Sequence, residues 1–377
     1  VEGSFGMRKN ILLVQLESNG DCVMVTALAR QIKHDYPGCF LTWAISYKCK
    51  QVIENNPFID SIWEINYKKN ESPYDDVWKK LKLEINDKIN KGIFNKVFYT
   101  QIYPDNVFNF DGTTRSSTFR SYPKKLSVPI TPVLRLYESE IKNVEQFALK
   151  FKLADYKNII LVECGAQSGQ SFFNLELAMN VAQYLIDTRE DIIVIISSHI
   201  KIDVESKRII DASILTYREN AELSKYCTLL VGCSSGITWL LTSDWAKKIP
   251  TVQFLKEDTI GFQFASVKYD FEYWNLDTSG IIESSQSEAG KAAKIVLNAI
   301  ENFTKARELY HEEFKPAIIS LERKISFRNF IKTMRMIYYF ISRNNNKFSN
   351  LYNITIYIFK NIFLKVKTRV FKDWNRV

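Results

Sequence analysis

Residues 11–38 constrain this chain more than any other stretch. Ile11 to Leu16 form a short run that is apolar except for Gln15, the composition of a strand buried on both faces of a parallel sheet. It breaks into the polar segment Glu17-Ser18-Asn19-Gly20-Asp21. From residue 23 to 36 the apolar positions fall at 23, 24, 27, 28 and 32, a helical spacing that Pro37-Gly38 stops. Strands are expected next over 40–45, 59–65 and 96–100, with a charged helix over 75–89. This βαβα order with short links predicts a doubly wound α/β unit.

Periodicity vanishes between residues 101 and 122, where Asn, Asp, Gly, Thr, Ser and Arg dominate. A loop so long inside a compact unit is commonly functional or disordered. The strand pattern restarts near residues 150–157. Strands are expected over 158–162, 192–197, 228–231 and 251–255, and helices over 175–188, 221–226, 237–245 and 288–303. The reading is therefore two Rossmann-like domains, 7–150 and 151–304, followed by a tail over 305–377. Residues 1–6, small and polar ahead of Met7, read as an appended scar.

Bulk properties remove several classes. An apolar share of 46% and a charged share of 25% are those of a soluble globular protein. Six scattered cysteines without a CxxC pair read as buried free thiols of a reducing compartment. Three histidines with no paired ligand spacing argue against a built-in metal site. No stretch reaches the roughly 20 apolar residues that span a bilayer. The expected location is the cytoplasm.

Three polar segments occupy strand ends, where parallel α/β sheets hold ligands. In the first, Asp21 stands just before a helix, and local chemistry fits a helix cap as well as a catalytic base. GxGxxG is absent there, which disfavours a Rossmann dehydrogenase. The second is 163–171, where Gly165, Ser168, Gly169, Gln170 and Ser171 offer backbone N–H groups, hydroxyls and amides to a phosphate. The third is 232–238, where Ser234, Ser235, Gly236 and Thr238 form a second candidate cradle, or merely a tight turn with an N-cap serine. Two such loops in one domain point jointly to a nucleotide diphosphate.

ILLVQLESNGDCVMVTALARQIKHDYPG, followed by FLTWAISYKCKQVIENNPFIDSI, resembles the opening of glycosyltransferase family 9, the ADP-heptose–lipopolysaccharide heptosyltransferases. Asn56-Pro57-Phe58-Ile59-Asp60 matches the family's N-P-x-(I/V)-D phrase, and ENAELSKYCTLLVGCSSGITWL is similar to its ELA…AD-LVVG-DSG-HLA block. The resemblance covers roughly residues 8 to 255. It implies the two-domain GT-B fold facing a central cleft, an inverting mechanism without a metal or other cofactor, and Asp21 as the base on the acceptor hydroxyl. A nucleotide-sugar donor would rest on the 168–171 and 234–238 loops in the second domain. Asn19, Gly20, Arg115 and Arg120 are the candidates for the acceptor side in the first. The family's aspartate and histidine are absent from Ser234-Ser235-Gly236-Ile237-Thr238-Trp239. Its loop lysine falls near Ser171, and Phe173-Asn174 replaces its Trp-Pro. The heptose is therefore not carried over with the fold.

The charge of +9 is concentrated in the tail. Residues 315–377 hold fourteen Lys and Arg against Glu322 and Asp373, a balance of +12 that leaves the body near −3. Apolar residues step by three and four through 327–341 and again through 351–370, with cationic flanks. The tail reads as two amphipathic helices that lie on an anionic membrane, ahead of packing on the body or a subunit, and ahead of nucleic acid. Together these features predict a peripheral enzyme on the inner face of the cytoplasmic membrane. It would transfer sugar from a nucleotide-sugar to a glycan or glycolipid of lipopolysaccharide or surface polysaccharide. The alternative is a non-catalytic membrane-associated scaffold with a degenerate nucleotide-sugar site.

Overall fold

Alternate residues of the first strand, β1 (Asn10–Val14), face different cores. Ile11 and Leu13 join Val25, Leu28 and Ile32 of helix α1 (Asn19–Asp35). Leu12 and Val14 join Trp78, Leu81 and Ile85 of α2 (Asp76–Asn90) on the opposite face. Burial on both faces explains why the run is apolar throughout. β1 pairs in parallel with β2 (Phe40–Ser46) and β4 (Lys96–Tyr99), and β2 pairs with β3 (Ser61–Ile65), in the order β3-β2-β1-β4. The structure, a computed structural model, describes residues 8–68, 76–106, 113–167, 169–198, 200–204, 206–257 and 264–314. The stretch 1–6, Ser168 and the tail helices expected over 315–377 lie outside these residues.

The second sheet holds β5 (Asn158–Glu163), β6 (Ile192–Ser197), β7 (Ile209–Asp211), β8 (Leu229–Gly232), β9 (Thr251–Phe254) and β10 (Ile281–Ser284). All its pairings are parallel, in the order β10-β9-β8-β5-β6-β7. Ile160, Val162, Val194 and Ile196 pack with Val181 and Leu185 of α5 (Leu175–Thr188) and with Val296 of α9 (Ala289–Glu301). Ile159, Leu161, Ile193 and Ile195 face the other way, into the same apolar cluster as Ile11, Leu13 and Leu28. The two sheets thus share one inner core.

Helices from both halves line this shared core: α4 (Glu138–Lys150), α6 (Glu219–Leu223) and α7 (Gly236–Leu240). Arg218, just ahead of α6, fastens that helix to α4 and to the 51–54 turn of the first half. Its buried guanidinium holds both carboxylate oxygens of Glu140 at 2.7 and 2.9 Å and donates to the carbonyls of Gln51, Glu54 and Arg135. Bidentate geometry with every partner satisfied is the arrangement in which a buried arginine is tolerated.

Several elements depart from the sequence pattern. The segment 101–122, expected to be a loop, contains α3 (Thr114–Phe119), a helix without an apolar stripe that packs between α1 and α8 (Val267–Tyr273). The pattern predicts a helix over 237–245, yet α7 ends at Leu240. Beyond it Asp244 is drawn to the first half, its N–H donating to the Pro132 carbonyl and its carboxylate accepting from Leu134 N–H and Arg135. β7, α8 and β10 are short elements that the pattern does not disclose, and α4 carries an apolar stripe that the sequence reading does not pick out. The helix expected over 288–303 is divided at Asn302, whose side chain caps α10 (Phe303–Tyr310) by accepting from Lys305 N–H.

Candidate functional site

In each sheet the strand order reverses beside the first strand of the unit: between β1 and β4 in one half, and between β5 and β8 in the other. Crevices at the carboxyl ends of such strands are where open α/β sheets take ligands. The three polar segments singled out by sequence lie at the ends of β1, β5 and β8. A groove lined by Phe40, Trp63, Lys88 and Phe94 opens near the amino-terminal ends of the first sheet, away from these crevices.

The β1 crevice is held by a residue the sequence reading missed. Gln101, just past β4, accepts hydrogen bonds through one side-chain oxygen from Gln15 Nε2, Leu16 N–H and Glu17 N–H, at 3.0, 3.0 and 3.1 Å. Its only signal in sequence is a polar residue at the end of a predicted strand. Ser18 is extended and makes no side-chain cap. Asp21, three positions on, accepts from the Ser18 backbone instead, the reciprocal half of a capping box. Asp21 is half-buried and crowded by protein, and loss of hydration pushes its pKa up to about 7, against the lowering effect of the Ser18 hydrogen bond. Helix cap and candidate base are therefore one carboxylate. Glu17, also half-buried, adds a second, contacting Ser46 Oγ at 3.3 Å and Lys48 at 4.0 Å.

The second half's crevice is built from the 163–171 and 232–238 loops. Gly165 and Gly169 take positive φ of 76° and 81°, which only glycine adopts at no steric cost. Gly232 is required for a different reason. A β-carbon there would lie 2.6 Å from Gln253 Nε2 and 2.7 Å from Thr238 Oγ1, two buried and hydrogen-bonded side chains. Most polar groups expected to face a ligand are turned inward, a correction to the sequence reading. Ser171 Oγ donates to the Phe254 carbonyl, Ser234 Oγ to the Ala265 carbonyl, and Gln170 Nε2 to the Ser234 carbonyl at 2.9 Å. Thr238 Oγ1 donates to Glu163 at 2.5 Å. Ser235 and Gly236 stay half-exposed.

Glu163 ends β5 and is fully enclosed. One carboxylate oxygen accepts from Ile237 N–H at 2.6 Å and Thr238 N–H at 3.3 Å, and the other from Thr238 Oγ1 and, at 3.3 Å, Ser235 N–H. Desolvation raises its pKa even against these four donors. The sequence reading places Glu163 only at the loop's first position, with no role.

The two crevices meet. A β-carbon on Gly236 would lie 3.1 Å from the Tyr217 ring and 3.6 Å from Asn19 Cβ, and Tyr217 donates its hydroxyl to the Gly236 carbonyl at 2.6 Å. Asn19 and Gly20, the acceptor-side candidates of the first half, thus stand at the seam beside the 232–238 loop. Arg115 and Arg120 correct the sequence reading too. Arg115 is buried, 3.1 Å from Asp270, with its guanidinium over the rings of Trp239 and Phe271. Arg120 donates to the Tyr273 hydroxyl at 2.9 Å and lies over that ring. Both tie α3 to α8, because the polar segment that carries them folds into the seam between the halves.

All six cysteines are free, five of them buried. Among the described residues no three His, Cys, Asp or Glu side chains gather as a metal site, and no helix is long and apolar enough to cross a membrane.

No protein-family model matches the chain, and no curated protein does. Solved structures do. A family 9 glycosyl transferase from Veillonella parvula DSM 2008 superposes with a TM-score of 0.51 at 14% identity, over 89% of this chain and 100% of that one. The ADP-heptose lipopolysaccharide heptosyltransferase II of E. coli superposes with a TM-score of 0.52, also at 14% identity, over 79% of this chain and 99% of that one. The chain has the GT-B fold. Its first GT-B half carries Asp21 and its second carries Glu163 and the 232–238 loop, one crevice in each.

Proposed function

We propose that this chain is an inverting, metal-independent glycosyltransferase. It would move a sugar from a nucleotide-sugar held in the second half to a hydroxyl of a glycan or glycolipid held against the first. The observation that carries the reading is Asp21, a carboxylate at the β1 crevice of a GT-B fold, beside the seam, with a pKa of about 7. A base is most effective when its pKa lies near the working pH, since it is then both available and strong enough to take a proton. Asp21 would remove the proton of the acceptor hydroxyl as that oxygen attacks the anomeric carbon. The bond to the nucleotide diphosphate breaks on the opposite face, which inverts the anomeric centre. Residues 315–377 would hold the enzyme on the cytoplasmic face of an anionic membrane, where a glycolipid acceptor presents itself.

The test is a transfer assay that pairs candidate nucleotide-sugars with lipid-linked glycan acceptors, run on wild type and Asp21→Asn. Transfer by wild type that falls by two orders of magnitude or more in Asp21→Asn supports the reading. Absence of both transfer and donor hydrolysis across the common nucleotide-sugars sinks it. A second reading, a non-catalytic scaffold with a degenerate donor site, is favoured by one observation: the polar groups of the 232–238 loop are engaged by the protein itself.

A further inference from the structure

The face of the first sheet that packs on α2 changes character along its strands. Leu12 and Val14 of β1, Ala44 of β2 and Ile65 of β3 lie against Trp78, Leu81 and Ile85 of α2. Two residues earlier on the same face, by the period of a strand, stand Asn10, Thr42 and Trp63, with Ser61 two before that. α2 stops at Asn90, and a groove of about 470 Å³ opens beside these residues, within the roughly 300–1,000 Å³ of small-molecule sites. Thr42 and Ser61 are register neighbours across β2 and β3. Thr42 is 8% exposed, yet its hydroxyl bonds to no described residue, and neither do the Ser61 hydroxyl and the Asn10 side-chain amide. A hydroxyl so enclosed calls for a partner that enters the groove. The wall beside them is aromatic: the Trp63 and Phe94 rings lie within 20° of parallel with centroids 6.2 Å apart. Lys88 Nζ sits 4.9 Å over the indole and is countered by Glu84 at 3.5 Å.

We propose that this groove is a saccharide-binding site, separate from both crevices, that takes a neutral sugar ring of a glycan. A pyranose carries hydroxyls at its rim and C–H groups on its faces. The hydroxyls match Asn10, Thr42 and Ser61, which both donate and accept, and the C–H face matches the aromatic wall. An acyl chain fits the wall but would strip water from two hydroxyls and an amide without replacing a single hydrogen bond. An anion would find one ammonium group, already paired with Glu84. β1 runs from the groove toward the crevice that holds Asp21, and its four steps of about 3.3 Å put roughly 13 Å between them. A sugar in the groove is therefore anchored away from any reacting bond. The inference goes beyond the glycosyltransferase reading and does not depend on it.

The experiment titrates the full chain with maltotriose, cellotriose, mannotriose and triacetylchitotriose, followed by saturation-transfer NMR and by tryptophan fluorescence, with 1-octanol as the acyl probe. Wild type is compared with Trp63→Ala and with the double variant Thr42→Val, Ser61→Ala, and thermal melting checks folding. The expected result is that at least one trisaccharide binds wild type equally well at low and high salt. The double variant should weaken that binding about tenfold or more, the loss of two neutral hydrogen bonds. Trp63→Ala should abolish it together with the fluorescence change. The double variant keeps near-native side-chain volumes, so it decides the matter even if Trp63→Ala misfolds. Binding of no trisaccharide overturns the inference, as does equal affinity in wild type and the double variant. Loss of binding at high salt, or binding of octanol alone, overturns it by assigning the groove to an anion or an acyl chain. Each of these outcomes leaves the glycosyltransferase reading standing, because that reading is tested by transfer at Asp21.

Discussion

Gly20 of α1 and Trp239 of α7 are in contact across the boundary between the two halves: a β-carbon on residue 20 would lie 3.0 Å from Trp239 Cδ1. The indole cannot easily retreat. It is 5% exposed and clustered with Met24, Val267 and Ile281, and the Arg115 guanidinium lies over it. A branched side chain at residue 20 therefore overpacks the seam. Gly20→Val should destabilise the chain by about 1–3 kcal/mol, read from urea unfolding followed by tryptophan fluorescence. Unchanged stability would mean that the halves are not held this close.

The raised pKa of Asp21 has consequences for activity and for stability. As a base it must be ionised, so kcat/KM should climb with pH through about 7 and level off above it. For stability the sign is opposite. The folded state binds the proton more tightly than the unfolded chain does, so the contribution of this group is greatest below pH 3.8 and is lost as pH rises through about 7. Asp21→Asn should accordingly raise the melting temperature at pH 8 more than at pH 5 while abolishing transfer. A variant with equal gains at both pH values would contradict the shifted pKa.

Two buried arginines bridge the halves with unequal satisfaction. Arg218 is fully hydrogen-bonded, whereas Arg115 keeps Nη2 without a hydrogen bond beside Asp270. Arg218→Met should cost about 3–5 kcal/mol, since it strands Glu140 and three carbonyls. Arg115→Met combined with Asp270→Asn should cost less than Arg115→Met alone, because removing both charges avoids burying the Asp270 carboxylate without the guanidinium that stands 3.1 Å from it. Denaturant titration of these variants and of Asp270→Asn alone measures this, and additive costs of the two single changes would show that the Arg115–Asp270 pair is not coupled.

The basic tail is tested by vesicle sedimentation. The cut belongs after Phe314, not earlier, because Phe314 packs with Leu255 and Phe264, and Glu312 accepts from Ser284 Oγ and Ser285 N–H. The full chain should pellet with vesicles rich in anionic lipid and be released by high salt. A chain ending at residue 314 should stay in the supernatant. Equal sedimentation of the two forms would remove the membrane role from residues 315–377.

The sequence by itself determined the class of the fold and the places where ligands could sit. Runs such as 11–16 and 192–197 are apolar because both faces of a parallel strand are covered, a local property legible without any partner. The switches from apolar run to polar loop to helical spacing marked the three crevice segments for the same reason. Only the tertiary structure decided what those segments do. Whether the N–H groups of Ser235, Ile237 and Thr238 face a ligand or Glu163 depends on a parallel strand more than seventy residues away. The fates of Arg115 and Arg218 likewise depend on which elements of the other half they meet. α3 escaped the pattern because it has no apolar stripe and is held by packing between the halves, whereas α4 carries Ile141, Val144, Phe147 and Ala148 at helical spacing and is simply not picked out by the sequence reading. Asp21 shows the division in one residue: its position before a helix is written locally, while its pKa near 7 comes from the protein that surrounds it.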